Sequence, residues 1–339
     1  MRKDSRESHC AAVEEEIRRM GFVPLPVPGE NRTAICVTGN TEPVESAVLN
    51  QMPGVLECIP VTKTYKLVSR EVHPDDTIVE VGSVRIGSTP LTFIAGPCSV
   101  ETESRTLEVA QQVRKAGAHQ FRAGAYKPRT SPYSFQGLGK EGLLTLSRVR
   151  KEVGIPVVSE IVDSSLVDLF AEHVDIIQVG ARNMQNFELL KKLGSVERPI
   201  LLKRGISATF EEWLMAAEYL LAEGNSNVIL CERGVRTFNN HSRNTLDLNI
   251  VPLVRKMTHL PVVVDPSHGV GKRDRVRHLA RAGIAAGAHG LMMEVHTQPD
   301  TAYSDAQQTI DIGTFSGIVK DASILVQLEN LFGTDKEQS

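Results

Sequence analysis

The sequence predicts an α/β protein in which a (β/α)8 TIM barrel follows a small α+β domain. After residue 91, eight short apolar runs rich in Val, Ile and Leu each precede a segment with helical spacing. Continuous apolar strands are typical of a parallel sheet that is covered on its faces, and eight strand–helix units fit a closed barrel. A doubly wound open sheet is the alternative, but the first run lacks the GxGxxG turn of that fold.

The eight predicted strands span residues 92–296. In chain order they are TFIAGPCS (92–99), HQFRAGAYK (119–127), PVVSEI (156–161), DIIQVGAR (175–182), PILLKRG (199–205), VILCERG (228–234), PVVVDPSH (261–268) and GLMMEVH (290–296). Amphipathic stretches between them, such as TFEEWLMAAEYLLAEG, end in a Gly just after the last helical turn, which is a helix stop signal. We therefore assign residues 91–335 to the (β/α)8 barrel.

The residues before the barrel have a different pattern. Within residues 1–65, VEEEIRRMGF and VESAVLNQMPGV predict helices, whereas TAICVTG and LECIPVTKTY predict strands. This order is similar to a ferredoxin-like or ACT-like regulatory or assembly domain, but the opening residues are too polar for its usual first strand. We expect that strand to be absent or atypical. Residues 66–90 contain alternating apolar residues around Gly82, which predict a linker and a β-hairpin at the bottom of the barrel.

Composition excludes several classes of protein. The formal charge of −3 argues against a nucleic-acid-binding protein, because such binding needs a basic excess. The N-terminus lacks the apolar core of a signal peptide, and no apolar run approaches the roughly 20 residues that cross a bilayer. We expect a cytoplasmic protein without a membrane partner. Five scattered cysteines without a CxxC pair give no disulfide framework.

Charged or metal-ligating side chains occur at the end of every predicted strand. The carboxyl ends of barrel strands form the active site of this fold, so these side chains should meet at one mouth. They are Cys98, Arg122, Lys127, Glu160, Arg182, Lys203, Glu232, Arg233, His268 and Glu294.

Four of the side chains could bind a metal ion. Cys98, His268 and Glu294 end the first, seventh and eighth strands, which are contiguous in a closed barrel, and Asp305 follows in the next loop. One thiol, one imidazole and two carboxylates suit a catalytic divalent ion such as Mn, Fe, Co or Zn. Two alternatives for Cys98 are a buried apolar residue and a nucleophile with His268 as its base.

The cations at the strand ends form a second group. Arg122, Lys127, Arg129, Arg182, Lys203 and Arg233 would repel one another at one mouth unless an anionic ligand binds there. Arg pairs well with both phosphate and carboxylate, so we expect a ligand that carries both groups. The loop KPRTSPYSFQGLG adds hydroxyls at Thr130 and Ser131, which could complete a second phosphate site.

Several motifs resemble those of the 3-deoxy-D-arabino-heptulosonate 7-phosphate (DAHP) synthases of the short barrel type (type I beta). These motifs are IAGPCSVE, GAYKPRTSPYSFQGLG, QVGARNMQNFELL, LLKRG, ILCERGVRTF, VVDPSHGVG and GAHGLMMEVHTQPDTAYSD. The resemblance extends from about residue 65 to the C-terminus. It implies that phosphoenolpyruvate, erythrose 4-phosphate and water are converted to DAHP and phosphate, at the start of the shikimate pathway of aromatic amino acid biosynthesis.

The resemblance also implies roles for individual residues. Phosphoenolpyruvate would bind Arg122, Lys127, Arg182, Lys203 and Arg233, and erythrose 4-phosphate would bind Lys127, Pro128, Arg129, Thr130 and Ser131. The divalent metal would bind Cys98, His268, Glu294 and Asp305. Lys127, Cys98 and His268 are the implied catalytic residues, and Glu160 is a candidate for moving the proton of the water. A homotetramer and feedback inhibition by Tyr or Phe through the N-terminal domain are further expectations.

Three other functions remain open at the level of the sequence. One is 3-deoxy-D-manno-octulosonate 8-phosphate synthase, which uses arabinose 5-phosphate; the KPRT sequence at 127–130 favours the erythrose 4-phosphate enzyme instead. Another is a metal-independent aldolase that forms a Schiff base on Lys203. The third is a ligand-sensing barrel without catalysis, although the complete set of metal and phosphate residues argues against it.

Overall fold

The structure is a computed structural model that describes residues 1–29, 32–38, 44, 46–59, 64–88, 90–128, 131 and 133–332. The chain divides into two units. One contains Met1–Asp76 together with Lys256–His259, and the other contains Thr77–Arg255 and the chain from Leu260 onward. Among the described residues, no helix is both long and apolar enough to cross a membrane.

Among its described residues, the N-terminal unit contains two helices and a two-stranded antiparallel sheet. The elements are α1 (Glu7–Arg19), β1 (Val23–Pro28), β2 (Thr33–Thr38) and α2 (Ala47–Asn50). Val13 and Ile17 on one face of α1 pack with Leu49 and Val55, which forms a small core. The described residues before α1 form no strand, as expected from their polarity. Instead, the Met1 amino group donates a hydrogen bond to the Thr33 carbonyl at 2.8 Å.

The sequence did not predict β1, because its residues VPLPVP contain three prolines. Pro24, Pro26 and Pro28 occupy every second position of the strand. Their missing N–H groups therefore all fall on one edge, and the ladder to β2 can use the donors of the residues between them. Of the predicted strand LECIPVTKTY, residues 60–63 lie outside the described residues, and its other residues form no strand.

The second unit contains the closed barrel. A hairpin, β3 (Val79–Val81) and β4 (Val84–Ile86), precedes it. The barrel strands are β5 (Thr92–Gly96), β6 (Gln120–Arg122), β7 (Val157–Ile161), β8 (Ile176–Val179), β9 (Ile200–Lys203), β10 (Val228–Glu232), β11 (Val262–Val264) and β12 (Gly290–Glu294). Each lies within one of the eight apolar runs. The pairing of β12 with β5 closes the parallel sheet, and the predicted fold class is confirmed.

Helices follow the strands in the order expected for the barrel. They are α3 (Glu103–Lys115), α4 (Lys140–Val153), α5 (Val167–His173), α6 (Phe187–Gly194), α7 (Phe210–Ala222), α8 (Ile250–Met257), α9 (Pro266–Val270), α10 (Arg273–Ala285) and α11 (Ile312–Phe332). Local sequence explains their ends. A capping box of Thr209 and Glu212 begins α7, and Gly154, with a φ of 67°, ends α4 in the left-handed conformation that favours glycine.

Apolar side chains fill the barrel below its carboxyl end. Ile94, Leu201 and Met292 are among the strand residues of this cluster, in which Val79, Val81 and Ile86 of the hairpin also take part. Most strand members of the cluster come from the first half or the middle of their strands, and the hairpin residues that pack with them cover the amino-terminal end of the barrel. The polar strand-end side chains predicted from the sequence lie at the opposite end.

Candidate active site

Three of the four predicted metal ligands converge above adjacent strands. The order β11, β12, β5 in the barrel confirms the expected contiguity. Ligand atoms of Cys98, Glu294 and Asp305 all lie within 4.8 Å of one another. The fourth predicted ligand, His268, places its Nε2 3.2 Å from Glu294 Oε1. We call Cys98, His268, Glu294 and Asp305 the donor cluster.

The protonation of Cys98 is coupled to the carboxylates around it. Burial, followed by the negative charge of Glu294, raises the pKa of the Cys98 thiol to about 12. The protonated thiol donates a hydrogen bond of 2.9 Å to Asp305 Oδ2. Lys127 Nζ lies 2.8 Å from Cys98 Sγ on the other side, so a cation already neighbours the sulfur. These contacts do not support a thiolate nucleophile paired with His268.

His268 is oriented by a buried carboxylate. Its Nδ1 lies 2.7 Å from Asp265 Oδ2, an arrangement in which Nδ1 carries the proton and Nε2 keeps its lone pair. That lone pair then faces the carboxylate of Glu294, and burial lowers the pKa of His268, which disfavours a second proton between them. Two acceptors that face one another in a buried site are stabilised by a cation. The donor cluster therefore fits a divalent metal, and imidazole held by a carboxylate is common in such sites.

Asp265 connects the donor cluster to the substrate cations. Lys203 Nζ lies 2.6 Å from Asp265 Oδ2, and both side chains are buried. Burial alone would raise the pKa of Asp265, but His268 and Lys203 lower it well below its usual range. The carboxylate is thus ionised. Because this buried contact already engages the Lys203 amine, that amine is poorly placed to form a Schiff base.

A cavity at the carboxyl end of the barrel contains most of the predicted substrate-binding residues. The residues that line it are Lys127, Pro128, Glu160, Gly180, Ala181, Arg182, Lys203, Arg233, Arg243, His268 and Asp305. Four of the five cations predicted to bind phosphoenolpyruvate are in this group. Burial lowers the pKa of the Arg233 guanidinium, and the nearby Arg243 adds to that effect, so an anion bound in the cavity would stabilise both charges.

Arg122, the fifth predicted cation, lies below the cavity rather than in its lining. Its side chain is buried, with Nη1 3.4 Å from Glu294 Oε1 and Nη2 3.6 Å from Glu160 Oε2. Arg122 Nε also donates to Gln178, whose amide donates in turn to Glu160 at 2.9 Å. Arg122 therefore links Glu160, which lines the cavity, to Glu294 of the donor cluster. Its place at a strand end did not distinguish this position from the positions that line the cavity.

Part of the loop predicted to bind the sugar phosphate is described. Pro128 lines the cavity, whereas Ser131 is exposed and its hydroxyl accepts from the backbone N–H of Tyr133. Arg129 and Thr130 lie outside the described residues. Their predicted contacts with erythrose 4-phosphate remain predictions.

Arg243 is a cavity residue that the sequence did not reveal. It lies midway along the loop that joins β10 to α8, far from any strand end. Its Nη1 donates to Asp305 Oδ1 at 3.2 Å and to Gln308 Oε1 at 3.0 Å. The only signal in the sequence is the basic composition of this loop, which also contains Arg236.

The two ends of the Arg243 loop are fastened to the predicted strand-end residue Glu232. Its carboxylate Oε1 accepts from the backbone N–H groups of Gly234 at 2.6 Å and Asp247 at 3.3 Å. The buried Arg204 lies 3.2 Å from the other oxygen of Glu232 and 3.0 Å from Asp247. Glu232 thus holds the two ends of the loop together and is not among the residues that line the cavity.

The loop that carries Asp305 is fastened to the loop that carries Cys98. Glu101 is buried and accepts from the Tyr303 N–H at 2.8 Å, and Ser304 donates to Ser99 at 3.1 Å. Asp305 itself adopts a φ of 54°, in the left-handed region that Asp tolerates better than most residues. Two loops that are distant in sequence therefore place the thiol and this carboxylate side by side.

Comparison with known proteins assigns a family to both parts of the chain. Residues 69–332 match the DAHP synthetase I family, and residues 1–63 match the DAHP synthase ferredoxin-like domain. A phospho-2-dehydro-3-deoxyheptonate aldolase of Thermotoga maritima is 49% identical over 293 residues, which cover 86% of this chain and 87% of the relative. A 2-dehydro-3-deoxyphosphooctonate aldolase of Geobacter sulfurreducens is 34% identical and covers 71% of this chain and 95% of its own length.

Solved structures give the same result. The crystal structure of the Thermotoga maritima phospho-2-dehydro-3-deoxyheptonate aldolase (DAHP synthase) superposes with a TM-score of 0.77 at 44% identity, over 98% of this chain and 96% of that one. A truncated form of 3-deoxy-D-arabino-heptulosonate 7-phosphate synthase from the same organism gives a TM-score of 0.72 at 45% identity, over 79% of this chain and 98% of that one. The family matches span nearly all of the sequence from Met1 to Phe332. The chain therefore belongs to the DAHP synthetase I family.

Proposed function

We propose that this chain condenses phosphoenolpyruvate with D-erythrose 4-phosphate and water to give 3-deoxy-D-arabino-heptulosonate 7-phosphate and phosphate, the first step of the shikimate pathway. The observation that carries the proposal is one cavity in which five cationic side chains lie beside a largely buried cluster of sulfur, nitrogen and oxygen donors. Cations can bind the phosphate and carboxylate of one substrate, while the donors serve the reacting carbonyl of the other.

Phosphoenolpyruvate binding is assigned to the cations of the cavity. Lys127, Arg182, Lys203 and Arg233 line it and would neutralise the phosphate and carboxylate charges. Arg122 would act from below, since its guanidinium is already shared between Glu160 and Glu294. Lys127 and Lys203 are already held by Cys98 and Asp265, so charge that develops during the reaction would meet cations that are already oriented.

Erythrose 4-phosphate binding is assigned to the loop that begins with Lys127. Pro128 lines the cavity, and Arg129, Thr130 and Ser131 would hold the sugar phosphate further from the donor cluster. This arrangement would direct the aldehyde toward Cys98 and His268, with the enol carbon of phosphoenolpyruvate opposite it. Holding the two reactants face to face contributes to the rate independently of any charge effect.

The donor cluster would hold one divalent ion, which we propose to be Mn, Fe, Co or Zn. When bound there, such an ion supplies Lewis-acid polarisation of a carbonyl oxygen. The residues prepare the site beforehand, because Asp265 accepts from His268 Nδ1 and so keeps Nε2 available. Glu160 borders the cavity and is the candidate to take the proton of the attacking water. Its Oε2 is held at 2.9 Å by Gln178, which leaves Oε1 as the oxygen for this transfer.

The N-terminal unit would bind an aromatic amino acid and inhibit the barrel, and the chain would assemble as a homotetramer. Support comes from the match of residues 1–63 to the ferredoxin-like domain of DAHP synthases. Titrating Tyr and Phe into the full-length enzyme, with mass measured by light scattering, tests both expectations. Activity that is unaffected by either amino acid would leave the domain with an assembly role alone.

The acceptor is tested by measuring phosphate release from phosphoenolpyruvate with erythrose 4-phosphate or arabinose 5-phosphate, before and after chelation. We expect release only with both substrates, faster with erythrose 4-phosphate, lost in EDTA and restored by Mn or Co. Equal or faster turnover of arabinose 5-phosphate would overturn the acceptor. Activity that survives EDTA, with trapping by borohydride at Lys203, would instead support the Schiff-base aldolase.

Substitution of Cys98 tests the metal site directly. Cys98→Ala should lower kcat by at least about 1,000-fold while the protein remains folded, because one of four ligands is lost and the metal can no longer be held in place. The matched control is Cys231→Ala, which removes a buried thiol of the apolar cluster. It should cost about 1 kcal/mol of stability and keep its turnover. After dialysis, Cys98→Ala should retain less metal than Cys231→Ala.

A further inference from the structure

Glu294 uses its two carboxylate oxygens differently. Oε1 faces the donor cluster, 3.2 Å from His268 Nε2. Oε2 accepts a hydrogen bond of 2.6 Å from Gln308 Nε2, which lies outside the cluster. Gln308 is 2% exposed, so water cannot readily replace this bond if the side chain is removed.

Asp305 has the same division between an inner and an outer oxygen. Oδ2 accepts from Cys98 Sγ at 2.9 Å, within the donor cluster. Oδ1 accepts from Arg243 Nη1 at 3.2 Å, outside the cluster. The two carboxylates therefore each have one oxygen aimed at the cluster and the other fixed by a residue outside it.

The two outer residues are bonded to each other. Arg243 Nη1 donates to Gln308 Oε1 at 3.0 Å. This bond fixes the orientation of the Gln308 amide, because a flipped amide would turn its oxygen toward the carboxylate of Glu294 and its NH2 toward the guanidinium of Arg243. One continuous chain of hydrogen bonds thus runs from Glu294 through Gln308 and Arg243 to Asp305.

The backbone places both outer residues independently of this chain. The Gln308 N–H donates to the Asp305 carbonyl at 3.1 Å, within a single turn. The Arg243 N–H donates to the Val270 carbonyl at 3.0 Å. Next to it, Gly271 has a φ of 69°, and a Cβ built there would lie only 2.5 Å from Arg243 Cβ, so the close approach of the two segments requires glycine.

We propose that Gln308 and Arg243 are a positioning pair that turns one oxygen of Glu294 and one of Asp305 toward a divalent ion in the donor cluster. The inference rests on the metal site of the proposed function and adds two residues to it. Neither residue contacts the ion. Partners of this kind typically change metal affinity by 10- to 100-fold when they are removed.

The first experiment compares Gln308→Leu with Gln307→Leu in the full-length, metal-free protein. Leu has a similar volume to Gln but makes no hydrogen bond, and Gln307 is the exposed neighbour of Gln308. Cobalt(II) is titrated into each protein, and binding is followed by the visible absorption of a cobalt–thiolate site. We expect the dissociation constant to rise about 10- to 100-fold for Gln308→Leu and to stay unchanged for Gln307→Leu.

The outcomes separate the positioning pair from the proposed function. If Gln308→Leu binds cobalt as tightly as the unsubstituted protein, the pair is overturned while the metal site stands. If the unsubstituted protein binds no cobalt, the metal site fails and the pair fails with it. If Gln308→Leu does not fold, a second variant, Arg243→Met, still tests the pair. Its substitution should be tolerated because the Arg243 side chain is 41% exposed.

Arg243→Met also tests whether the two residues act as one unit. Both single variants should weaken cobalt binding, and the double variant should lose less than the product of the two separate effects. At saturating cobalt, Gln308→Leu should keep the KM for phosphoenolpyruvate, whereas Arg243→Met should raise it because Arg243 lines the cavity. Independent, fully multiplicative losses of cobalt affinity would contradict a coupled pair.

Discussion

The two ends of the barrel are built from opposite chemistry. At the amino-terminal end, Val79, Val81 and Ile86 of the hairpin join an apolar cluster. At the carboxyl end, Lys203 and Asp265 are among several acidic and basic side chains buried within a few ångströms of one another. Apolar burial stabilises the fold by about 25 cal/mol per Å². Buried ions cost desolvation energy that only good partners offset. The difference indicates that the hairpin end contributes stability, whereas the mouth retains groups that catalysis requires.

The sharpest test of this contrast removes a cation from the mouth. Arg233 is buried, and its one described hydrogen bond is to the Gly234 carbonyl at 3.3 Å. We expect Arg233→Met to lower kcat/KM for phosphoenolpyruvate by roughly 100- to 1,000-fold. The metal-free, substrate-free protein should be equally stable or more stable by about 1 kcal/mol, because a desolvated charge has been removed. Steady-state kinetics and chemical denaturation would measure the two effects.

Arg236→Met is the matched control for that variant. Arg236 is an exposed residue of the same loop, and its backbone N–H donates to the Ile206 carbonyl. This substitution should change neither the rate nor the stability measurably. If Arg233→Met proved strongly destabilising, the mouth would be a structural region as well as a functional one, and the contrast between the two ends would break.

The next test acts at the opposite end. Ile86 is fully buried in the hairpin, and Ile86→Ala should lower the free energy of unfolding by about 2–4 kcal/mol through lost burial and a cavity. Val84→Ala, on the same strand but only partly buried, should cost less. Both variants should keep the KM and kcat of the unsubstituted enzyme well below their unfolding temperatures. A change in KM would show that the hairpin influences the mouth.

The smallest expected effect is a pH dependence at the amino-terminal end. His119 precedes β6, and its Nδ1 accepts the N–H of Phe93 at 3.0 Å, which requires an unprotonated nitrogen. Burial lowers the pKa of His119. The unfolded chain, with a His pKa near 6.5, therefore binds the proton more readily, and stability should fall as pH drops below about 6.5.

His119→Asn keeps an acceptor and removes the titration. Its unfolding free energy should fall less between pH 7 and 5.5 than that of the unsubstituted chain, by no more than about 1.4 kcal/mol per pH unit. Identical pH profiles for the two proteins would rule out His119 as the source. The profile of turnover should not be altered by this variant, since His119 is not among the residues that line the cavity.

The fold of the barrel was predictable because its signals are local and repeated. Most strands are continuous apolar runs, although β6 contains Gln120 and Arg122, and glycines such as Gly154 mark where helices stop. The N-terminal unit was less predictable. Its β1 is rich in proline, which normally argues against a strand, and the strand is allowed only because its prolines share one edge.

The same distinction applies to the candidate site. Cys98, His268 and Glu294 could be brought together from sequence because strand order determines which strand ends are neighbours. Arg243 and Gln308 could not, since their positions depend on the path of long loops and on contacts such as the one between Arg243 and Gly271. A position at a strand end also does not show how deeply a side chain is buried below the cavity. Arg122 was therefore grouped with the residues that line the cavity.

The prolines of β1 have a consequence for molecular recognition. A free strand edge usually invites a peptide or another protein to extend the sheet by β-augmentation, which relies on main-chain donors and acceptors. On the outer edge of β1, Pro24, Pro26 and Pro28 offer carbonyls without donors. This edge is therefore protected against adventitious pairing, because a strand placed beside these positions would find no backbone donors there.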